Sequence, residues 1–231
     1  MKIGGYQSVS LCDFEGHVAA VVFTQGCNFR CPFCHNASLL PAEVDPAHLI
    51  PEEHVLDRLR LRHGFIDAVV VSGGEPTLQP DLPRFLRILR RMEFLVKLDT
   101  NGSRPEILRV LLREGLLDYV AMDIKAPWPK YGILAGVSVP THSITESIRL
   151  IADSGLPHEF RTTLAPGLRE DEDLVAIRQM IPAGSPHKTQ PFHPAAGSGQ
   201  PAAHHASGVT AYSGDAHPGE RATSNSRRAG F

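Results

Sequence analysis

Three of the four cysteines in this 231-residue chain lie within eight consecutive positions, in the stretch FTQGCNFRCPFCHN. Cys27, Cys31 and Cys34 have the spacing C-x3-C-x2-C. Three thiolates on one short loop can bind three irons of a cubane iron–sulfur cluster. The fourth iron of such a cluster then has no protein ligand and can bind a small molecule. The loop therefore predicts an iron–sulfur centre with one open coordination position.

A zinc site is the alternative interpretation of these thiols, with His35 as the fourth ligand. Zinc sites usually combine two short ligand pairs from separate parts of a chain. Here all three thiols lie in one loop, and His35 directly follows Cys34, which is an awkward position for binding the same ion. The spacing favours the iron–sulfur cluster, and a set of free thiols is the third possibility.

Five apolar or β-branched runs of the chain contain or end in polar or glycine-rich groups. These groups are Gly26–Cys27, Ser72–Pro76 (SGGEP), Asp99–Gly102 (DTNG), Asp123–Lys125 (DIK) and Arg161–Thr163 (RTT). Ligands of parallel sheets bind at the carboxyl ends of the strands. The five groups are therefore predicted to converge on one site.

The runs themselves predict strands with helices between them. Strands are predicted at residues 18–24, 67–72, 95–99, 119–124 and 159–163, and helices at 51–63, 81–92, 104–114, 143–154 and 170–180. Strict alternation of strands and helices is typical of parallel βα units. Five to six such units are too few for a closed eight-stranded barrel. The predicted fold is an α/β partial, open parallel βα barrel, and a doubly wound sheet is the alternative.

The composition changes sharply near the C-terminus. No Leu, Ile or Met follows Ile181, and five of the 12 histidines lie beyond it, at irregular spacing. We predict one domain at residues 1–194 and a low-complexity, disordered tail at 195–231, because such a composition cannot bury enough apolar surface to fold. A shifted reading frame near this boundary is one hypothesis for the abrupt change.

The overall charge points to no polyanionic partner. The net charge is −2 and the pI about 6.6. The N-terminal residues lack the apolar segment of a signal peptide, and no run approaches the roughly 20 apolar residues of a membrane-spanning helix. We therefore expect a cytoplasmic protein that binds neither nucleic acid nor membrane. In a reducing compartment, clustered cysteines favour metal or redox chemistry over disulfides.

Five stretches together resemble one family of enzymes. They are FTQGCNFRCPFCHN, VVVSGGEPTLQPDL, LDTNGSRPEIL, YVAMDIKAP and EFRTTLAPGL. They resemble the radical S-adenosylmethionine (radical SAM) enzymes. More narrowly, they are similar to activating proteins of anaerobic ribonucleoside-triphosphate reductase and to the related pyruvate formate-lyase activases. The resemblance covers residues 2–182.

This resemblance implies a cofactor and a reaction. Cys27, Cys31 and Cys34 would hold a [4Fe-4S] cluster, and the open iron would chelate the amino and carboxylate groups of S-adenosylmethionine. An electron from the cluster would cleave the cofactor to methionine and a 5′-deoxyadenosyl radical, which abstracts a hydrogen atom. The protein's part is to position the sulfonium and to exclude water. With one spare cysteine, the chain has ligands for one cluster only.

The resemblance also assigns roles at the second strand end. The backbone of Gly73 and Gly74 would approach the methionine amine of the cofactor, which small residues permit. Glu75, among the cofactor-binding candidates, would together with Pro76 fix this strand end. The alternative for the glycine pair is an ordinary turn between a strand and a helix.

At the third and fourth strand ends, Asp99 and Lys125 match positions that touch the ribose and carboxylate region of the cofactor. Asp99, Thr100 and Asp123 are also candidates for a monovalent cation site. The alternatives are helix capping for the two aspartates and a solvated surface amine for Lys125.

The remaining candidates each have two interpretations. Arg161 is either a strand-edge charge or a carboxylate clamp, and the clamp is favoured. Phe33 packs either near the adenine or in the core. His193 sits where activases can place a histidine that contacts the cofactor. Cys12 is expected to pack as a small hydrophobic residue rather than to bind metal.

The resemblance favours an enzyme that installs a glycyl radical on a partner, specifically anaerobic ribonucleoside-triphosphate reductase. Its electrons would come from a flavodoxin- or ferredoxin-type donor. The first alternative is radical chemistry on a small molecule, as in 7-carboxy-7-deazaguanine synthase. The second is a non-enzymatic, metal-stabilised binding module.

Overall fold

A single seven-stranded sheet organises the computed structural model, which describes residues 1–192. The strands are β1 Ile3–Ser10, β2 Ala19–Thr24, β3 Ala68–Gly73, β4 Leu95–Thr100, β5 Tyr119–Asp123, β6 His158–Leu164 and β7 His187–Pro191. Their spatial order is the chain order, from β1 at one edge to β7 at the other. Strands β2 to β7 are parallel, and β1 runs antiparallel to β2.

This strand order confirms the partial, open βα barrel. A doubly wound sheet reverses its strand order at a switch point, and the order β1 to β7 contains no such reversal. Strands β1 and β7 are the two edges of the sheet in the described part of the chain, so the barrel is not closed. The predicted tail at 195–231 lies outside the described residues.

Six α-helices accompany the sheet in residues 1–192. They are α1 Glu52–Arg60, α2 Leu82–Arg91, α3 Pro105–Arg113, α4 Trp128–Ala135, α5 Thr141–Asp153 and α6 Glu170–Met180. Five of them match the predicted helices within a few residues. Helix α5 begins at Thr141 rather than at residue 143, because Pro140, with extended backbone, precedes it. None of the helices in residues 1–192 is both long and apolar enough to span a membrane.

Alternating faces of the strands pack into two separate parts of the core. Val69 and Val71 of β3 face the helices, where α2 contributes Phe85 and Leu89, all fully buried. The intervening residues, such as Val70, face the interior of the open barrel and form a second, smaller cluster. The strands are therefore buried on both faces, which is typical of continuous apolar runs in parallel sheets.

The β1–β2 turn (residues 11–18) covers the end of the barrel where the parallel strands begin. Phe14 of this turn is buried, and its ring centroid lies 5.5 Å from that of Tyr119 on β5. Lys97 Nζ on β4 donates a 2.6 Å hydrogen bond to the carbonyl of Asp13. The turn therefore contacts strands from the middle of the sheet and covers the barrel at this end.

Cys12 lies in this turn and is exposed, so the prediction that it packs as a hydrophobic residue is wrong. The strand register explains its surroundings. Ser10 pairs with Ala19 at the start of β2, whereas Cys27 follows Thr24 at the end of β2. Cys12 is therefore at the opposite end of the sheet from the three clustered cysteines.

Candidate functional site

A cavity of about 200 Å³ lies at the carboxyl ends of strands β2 to β6. It is lined by every described candidate residue of the sequence, namely Cys27, Cys31, Phe33, Cys34, Gly73, Gly74, Glu75, Asp99, Lys125 and Arg161. The volume is several times the ~30 Å³ share of one water molecule in the liquid. The structure thus brings together residues from five strand ends. His193 lies outside the described residues.

The clustered thiols are partly buried, which affects their protonation. Burial raises the pKa of Cys27 to about 11 and also raises that of Cys31. Without metal, the thiols of Cys27 and Cys31 are therefore neutral near pH 7. Iron binds thiolates and displaces their protons, so metal binding offsets the cost of burying the charges. The donor set fits an iron–sulfur cluster, for which soft thiolates are the usual ligands.

The thiols are not arranged around a single ion. Among residues 1–192, no group of three or more His, Cys, Asp or Glu side chains is placed to hold one metal ion. In a cubane cluster each thiolate binds a different iron, so that arrangement is not required. His35, the fourth ligand of the zinc alternative, stacks on the ring of Phe192 at a centroid distance of 6.0 Å.

The backbone of the cysteine loop is held from two sides. Gly26 N donates to the carbonyl of Leu39 at 2.8 Å, which closes the loop on itself. Arg30 N donates to the carbonyl of Ala135, the last residue of α4, at 2.8 Å. A Cβ atom on the following Gly136 would lie 2.0 Å from the Arg30 carbonyl oxygen, so this contact requires glycine. The C-terminus of α4 therefore positions the loop.

The glycine pair at the end of β3 packs directly against the cysteine loop. Gly73 has φ +112°, and a Cβ atom there would lie 2.3 Å from Thr24 N. A Cβ atom on Gly74 would lie 2.2 Å from the carbonyl oxygen of Gly26. Gly74 N also donates to the Thr24 carbonyl at 2.9 Å. The chain's own backbone therefore requires both glycines, in addition to any approach of a ligand.

Glu75 joins the ends of β3 and β4. Its carboxylate is fully buried and accepts hydrogen bonds from Thr77 N and Oγ1, from Thr100 Oγ1 at 2.7 Å and from Asn101 N at 2.7 Å. Burial raises the pKa of this carboxyl group. The geometry matches the predicted role of Glu75 in fixing this strand end, and the Thr100 hydroxyl is already committed to it.

Asp99 and Asp123 are paired with cations of the same chain. Lys125 Nζ lies 3.0 Å from Asp123 Oδ2, and Arg161 Nε lies 3.0 Å from Asp123 Oδ1. Arg161 Nη1 is also 3.5 Å from Asp99 Oδ1. Arg161 thus clamps carboxylates, but they are those of the protein. A monovalent cation beside Asp99, Thr100 and Asp123 stays a prediction.

Two alternative roles from the sequence are wrong, namely helix capping for Asp99 and Asp123 and a solvated surface amine for Lys125. Helices α3 and α4 have Arg104 and Pro127 at their N-caps, so neither Asp99 nor Asp123 caps a helix. The side chain of Lys125 is 17% exposed and ion-paired, so it is not a solvated surface amine. The three side chains are held at the cavity by one another and by Arg161.

Replacing Asp123 by asparagine should change how the stability of the protein depends on pH. Burial alone would raise the pKa of Asp123, but the charges of Lys125 and Arg161 outweigh it and lower the pKa to about 2. A lowered pKa stabilises the fold above the unfolded-state value of about 3.9, and this stabilisation is lost as the pH falls toward 2. The stability gap between wild type and Asp123→Asn, measured by urea unfolding, should therefore narrow from about pH 4 downward.

The matched control for this measurement is Asp153→Asn. Asp153 is exposed at the end of α5 and has no ion pair in the described part of the chain. Its replacement should leave the pH profile of the free energy of unfolding close to that of wild type. A wild-type and Asp123→Asn difference that stays constant down to about pH 2 would contradict the role of the ion pairs.

Phe33 packs in the core and also lines the cavity, and its packing near the adenine stays a prediction. Its side chain is 9% exposed and packs with Ala126, Leu134 and Ala165 in a small apolar cluster. It also lines the cavity beside the cysteines. Core packing and contact with a bound ligand are compatible at this position.

Asn101 received no role from the sequence, although it belongs to the DTNG stretch. Its side chain is buried, and Nδ2 donates to Asn28 Oδ1 at 3.0 Å and lies 3.9 Å from Cys27 Sγ. It therefore links the end of β4 to the cysteine loop. Its position directly after a predicted strand, in the same DTNG stretch as Asp99, could have identified it as a site residue.

The chain belongs to the radical SAM superfamily, whose family model matches residues 21–181. It is thus an enzyme of this class, and the family implies a [4Fe-4S] cluster and S-adenosylmethionine. The interpretation as a non-enzymatic binding module is therefore wrong. The clustered thiols and the surrounding strand ends are the part of the fold where such cofactors fit.

Two curated relatives are both named as activating enzymes. A protein of Methanocaldococcus jannaschii that is named as a glycyl-radical enzyme activating enzyme is 32% identical over 197 residues, which are 83% of this chain and 80% of that protein. The pyruvate formate-lyase-activating enzyme of Streptococcus mutans is 33% identical over 172 residues, 70% of this chain. The chain spans 65% of that second relative, just under two thirds of its length.

A solved structure shares the fold. Streptococcus suis SuiB bound to S-adenosylmethionine matches with a TM-score of 0.58 and 16% identity. The match covers 75% of this chain and 40% of SuiB. At this identity the likeness concerns the fold alone, and it agrees with the open βα barrel described above.

Proposed function

We propose that this enzyme activates a glycyl radical enzyme by abstracting a hydrogen atom from a glycine of that partner. The observation that carries the proposal is the similarity, above 30% identity and over most of the domain, to two activating enzymes. The open barrel agrees with it, because the site lies at the strand ends of a sheet that does not close within residues 1–192. The partner we propose is anaerobic ribonucleoside-triphosphate reductase, with a flavodoxin- or ferredoxin-type electron donor.

Different residues of the cavity would bind the cluster and the S-adenosylmethionine. Cys27, Cys31 and Cys34 would ligate the cluster, and the backbone at Gly73 and Gly74 would lie against the methionine part of S-adenosylmethionine. When bound, cluster and S-adenosylmethionine supply reductively initiated hydrogen-atom abstraction. The protein orients the cofactor and excludes water from the reacting atoms.

The charged residues favour a ligand with both acidic and hydrogen-bonding groups. Lys125 and Arg161 line the cavity, and although both are paired with Asp123, each has further N–H groups that can donate to the carboxylate of S-adenosylmethionine. Asp99 lines the cavity with its side chain 15% exposed, so its carboxylate can accept a hydrogen bond from a ligand hydroxyl. Phe33 gives the cavity an apolar wall, and its place suits the adenine.

Incubation with the partner tests the proposal directly. The reconstituted, reduced enzyme with S-adenosylmethionine should generate a glycyl radical in the reductase, detected by electron paramagnetic resonance. The signal should vanish when the radical-bearing glycine of the reductase is replaced by alanine.

Two other outcomes have distinct meanings. Consumption of S-adenosylmethionine with a radical only in a different glycyl radical enzyme would correct the partner. Turnover of a small molecule, with no protein radical in any glycyl radical enzyme, would overturn the proposal in favour of the small-molecule alternative.

A further inference from the structure

Lys97 is a buried cation inside the open barrel, two residues before Asp99 on β4. It is 6% exposed. Its Nζ atom lies 3.8 Å from Asp99 Oδ1 and 3.8 Å from Glu159 Oε1. It also donates to the Asp13 carbonyl of the β1–β2 turn at 2.6 Å. A buried ammonium group is costly unless anions and acceptors surround it, and here two carboxylates and a carbonyl do so.

The carboxylate of Asp99 is held without using all of its acceptor capacity. Its Oδ2 atom accepts a hydrogen bond from Ser72 Oγ at 3.1 Å. Its Oδ1 atom is buried between Lys97 at 3.8 Å and Arg161 Nη1 at 3.5 Å, with no hydrogen bond from the described residues. The two cations therefore hold Oδ1 away from the cavity. Because the side chain as a whole is 15% exposed, Oδ2 is the oxygen that can accept a further hydrogen bond from a ligand. Asp99 itself lines the cavity.

Lys97 and Arg161 lie on different strands, so they restrain Asp99 from different directions. Lys97 precedes Asp99 on β4, on the same face of the strand, and is closer to the β1–β2 turn. Arg161 is on β6 and is shared with Asp123. Each cation has a second carboxylate close by, Asp123 for Arg161 and Glu159 for Lys97, and Lys97 in addition ties Asp99 to the covered end of the barrel.

We propose that Lys97 is a positioning residue for S-adenosylmethionine: by holding Oδ1 of Asp99 it orients the carboxylate so that Oδ2 accepts a hydrogen bond from a cofactor hydroxyl. This inference rests on the proposed function, because it requires the cofactor to bind in the cavity beside Asp99. Lys97 lines no part of that cavity and acts through Asp99. Its contribution is electrostatic and geometric, and it exchanges no proton with the cofactor.

The test measures the dissociation constant of S-adenosylmethionine for the cluster-loaded protein by equilibrium dialysis. Lys97→Met should weaken binding about tenfold, because coupled neighbouring charges typically contribute on that scale. Lys97→Arg, which keeps the charge, should restore most of the affinity. Iron content and the electron paramagnetic resonance spectrum of the reduced cluster, recorded without S-adenosylmethionine, should be unchanged in both variants.

Lys188→Met is the matched control. Lys188 on β7 also pairs with Glu159, at 2.8 Å, and with Glu15 of the β1–β2 turn, at 3.2 Å. It therefore belongs to the same end of the barrel but has no ion pair with Asp99 in the described part of the chain. Its replacement should leave the dissociation constant within about twofold of wild type.

A double-mutant cycle with Asp99→Asn separates positioning from general destabilisation. If Lys97 acts through Asp99, adding Lys97→Met to Asp99→Asn should weaken binding no further. Additive losses, or an unchanged affinity in Lys97→Met, would overturn the inference. If Lys97→Met does not fold, Lys97→Gln, which can still donate to the Asp13 carbonyl, takes its place in the cycle.

The same measurement distinguishes failure of this inference from failure of the proposed function. Wild-type protein that carries the cluster but binds no S-adenosylmethionine would overturn both. If wild type binds S-adenosylmethionine tightly and Lys97→Met has the same dissociation constant, the positioning role alone would be overturned.

Discussion

Replacing any one of Cys27, Cys31 and Cys34 by alanine should abolish cleavage of S-adenosylmethionine in the reconstituted protein. The three residues share one loop that lines the cavity, and each is expected to supply one iron ligand. Removing a residue that only orients a metal ligand typically lowers metal affinity or activity about 10- to 100-fold. Removing a ligand itself should therefore lower the rate of cofactor cleavage by more than about 100-fold. Iron and sulfide content, the absorption of the cluster and the yield of methionine measure the effect.

Cys12→Ala is the control within the same chain. Cys12 is exposed in the β1–β2 turn, at the end of the sheet opposite to the cysteine loop. Its replacement should leave iron content and cofactor cleavage close to those of wild type. Equal damage from Cys12→Ala would show that the ligands have been assigned wrongly.

Gly74→Ala should disrupt the site through backbone contact rather than through any lost side chain. The added Cβ atom would lie 2.2 Å from the Gly26 carbonyl oxygen and 3.0 Å from that of Leu39. Both neighbours are backbone, so the β3 turn and the cysteine loop must move apart. Overpacking of this kind typically costs about 1–3 kcal/mol. We expect a lower free energy of unfolding in urea, and less iron bound per chain.

Gly155→Ala separates this contact from ordinary backbone strain. Gly155 follows helix α5 with φ +72°, and a Cβ atom there would meet nothing within 4 Å. Its replacement should cost about 1–2 kcal/mol from the left-handed conformation alone and leave iron loading intact. If Gly74→Ala bound iron as well as Gly155→Ala does, the close packing of the two turns would not matter for the site.

The central part of the fold could be predicted because its sequence signals are local. The β-branched run of β3 and the apolar stripe of α2 each determine their own secondary structure. The edge strands were harder: β1 contains two glycines and several polar residues, and β7 (HKTQP) has no aliphatic side chain. Such strands are held by their neighbours in the sheet more than by their own composition. Helix α4 was missed because it is short, with Pro129 in its first turn and Gly132 in its middle.

The site was predicted as a set of residues but not as a set of contacts. The residue types and their positions at strand ends were enough to predict that the cysteines, Gly73, Asp99 and Lys125 lie at one site. The ion pairs depend on strand register, which the sequence does not state: Asp123 faces Arg161 only because β5 and β6 pair at those positions. For the same reason, nothing in LVKLD identified Lys97 as a partner of Glu159.

The order of the strands has a consequence for folding. Each parallel strand pairs with the one immediately before it in the chain, so the sheet can grow one βα unit at a time during synthesis. The turns carrying Asp99, Asp123 and Lys125 are in place once β5 has joined, and the cysteine loop gains its contact with the C-terminus of α4 directly afterwards. Arg161 arrives only with β6, and until then the two carboxylates have fewer cations than in the finished site. Electrostatic balance at the cavity is therefore among the last properties that the growing chain acquires.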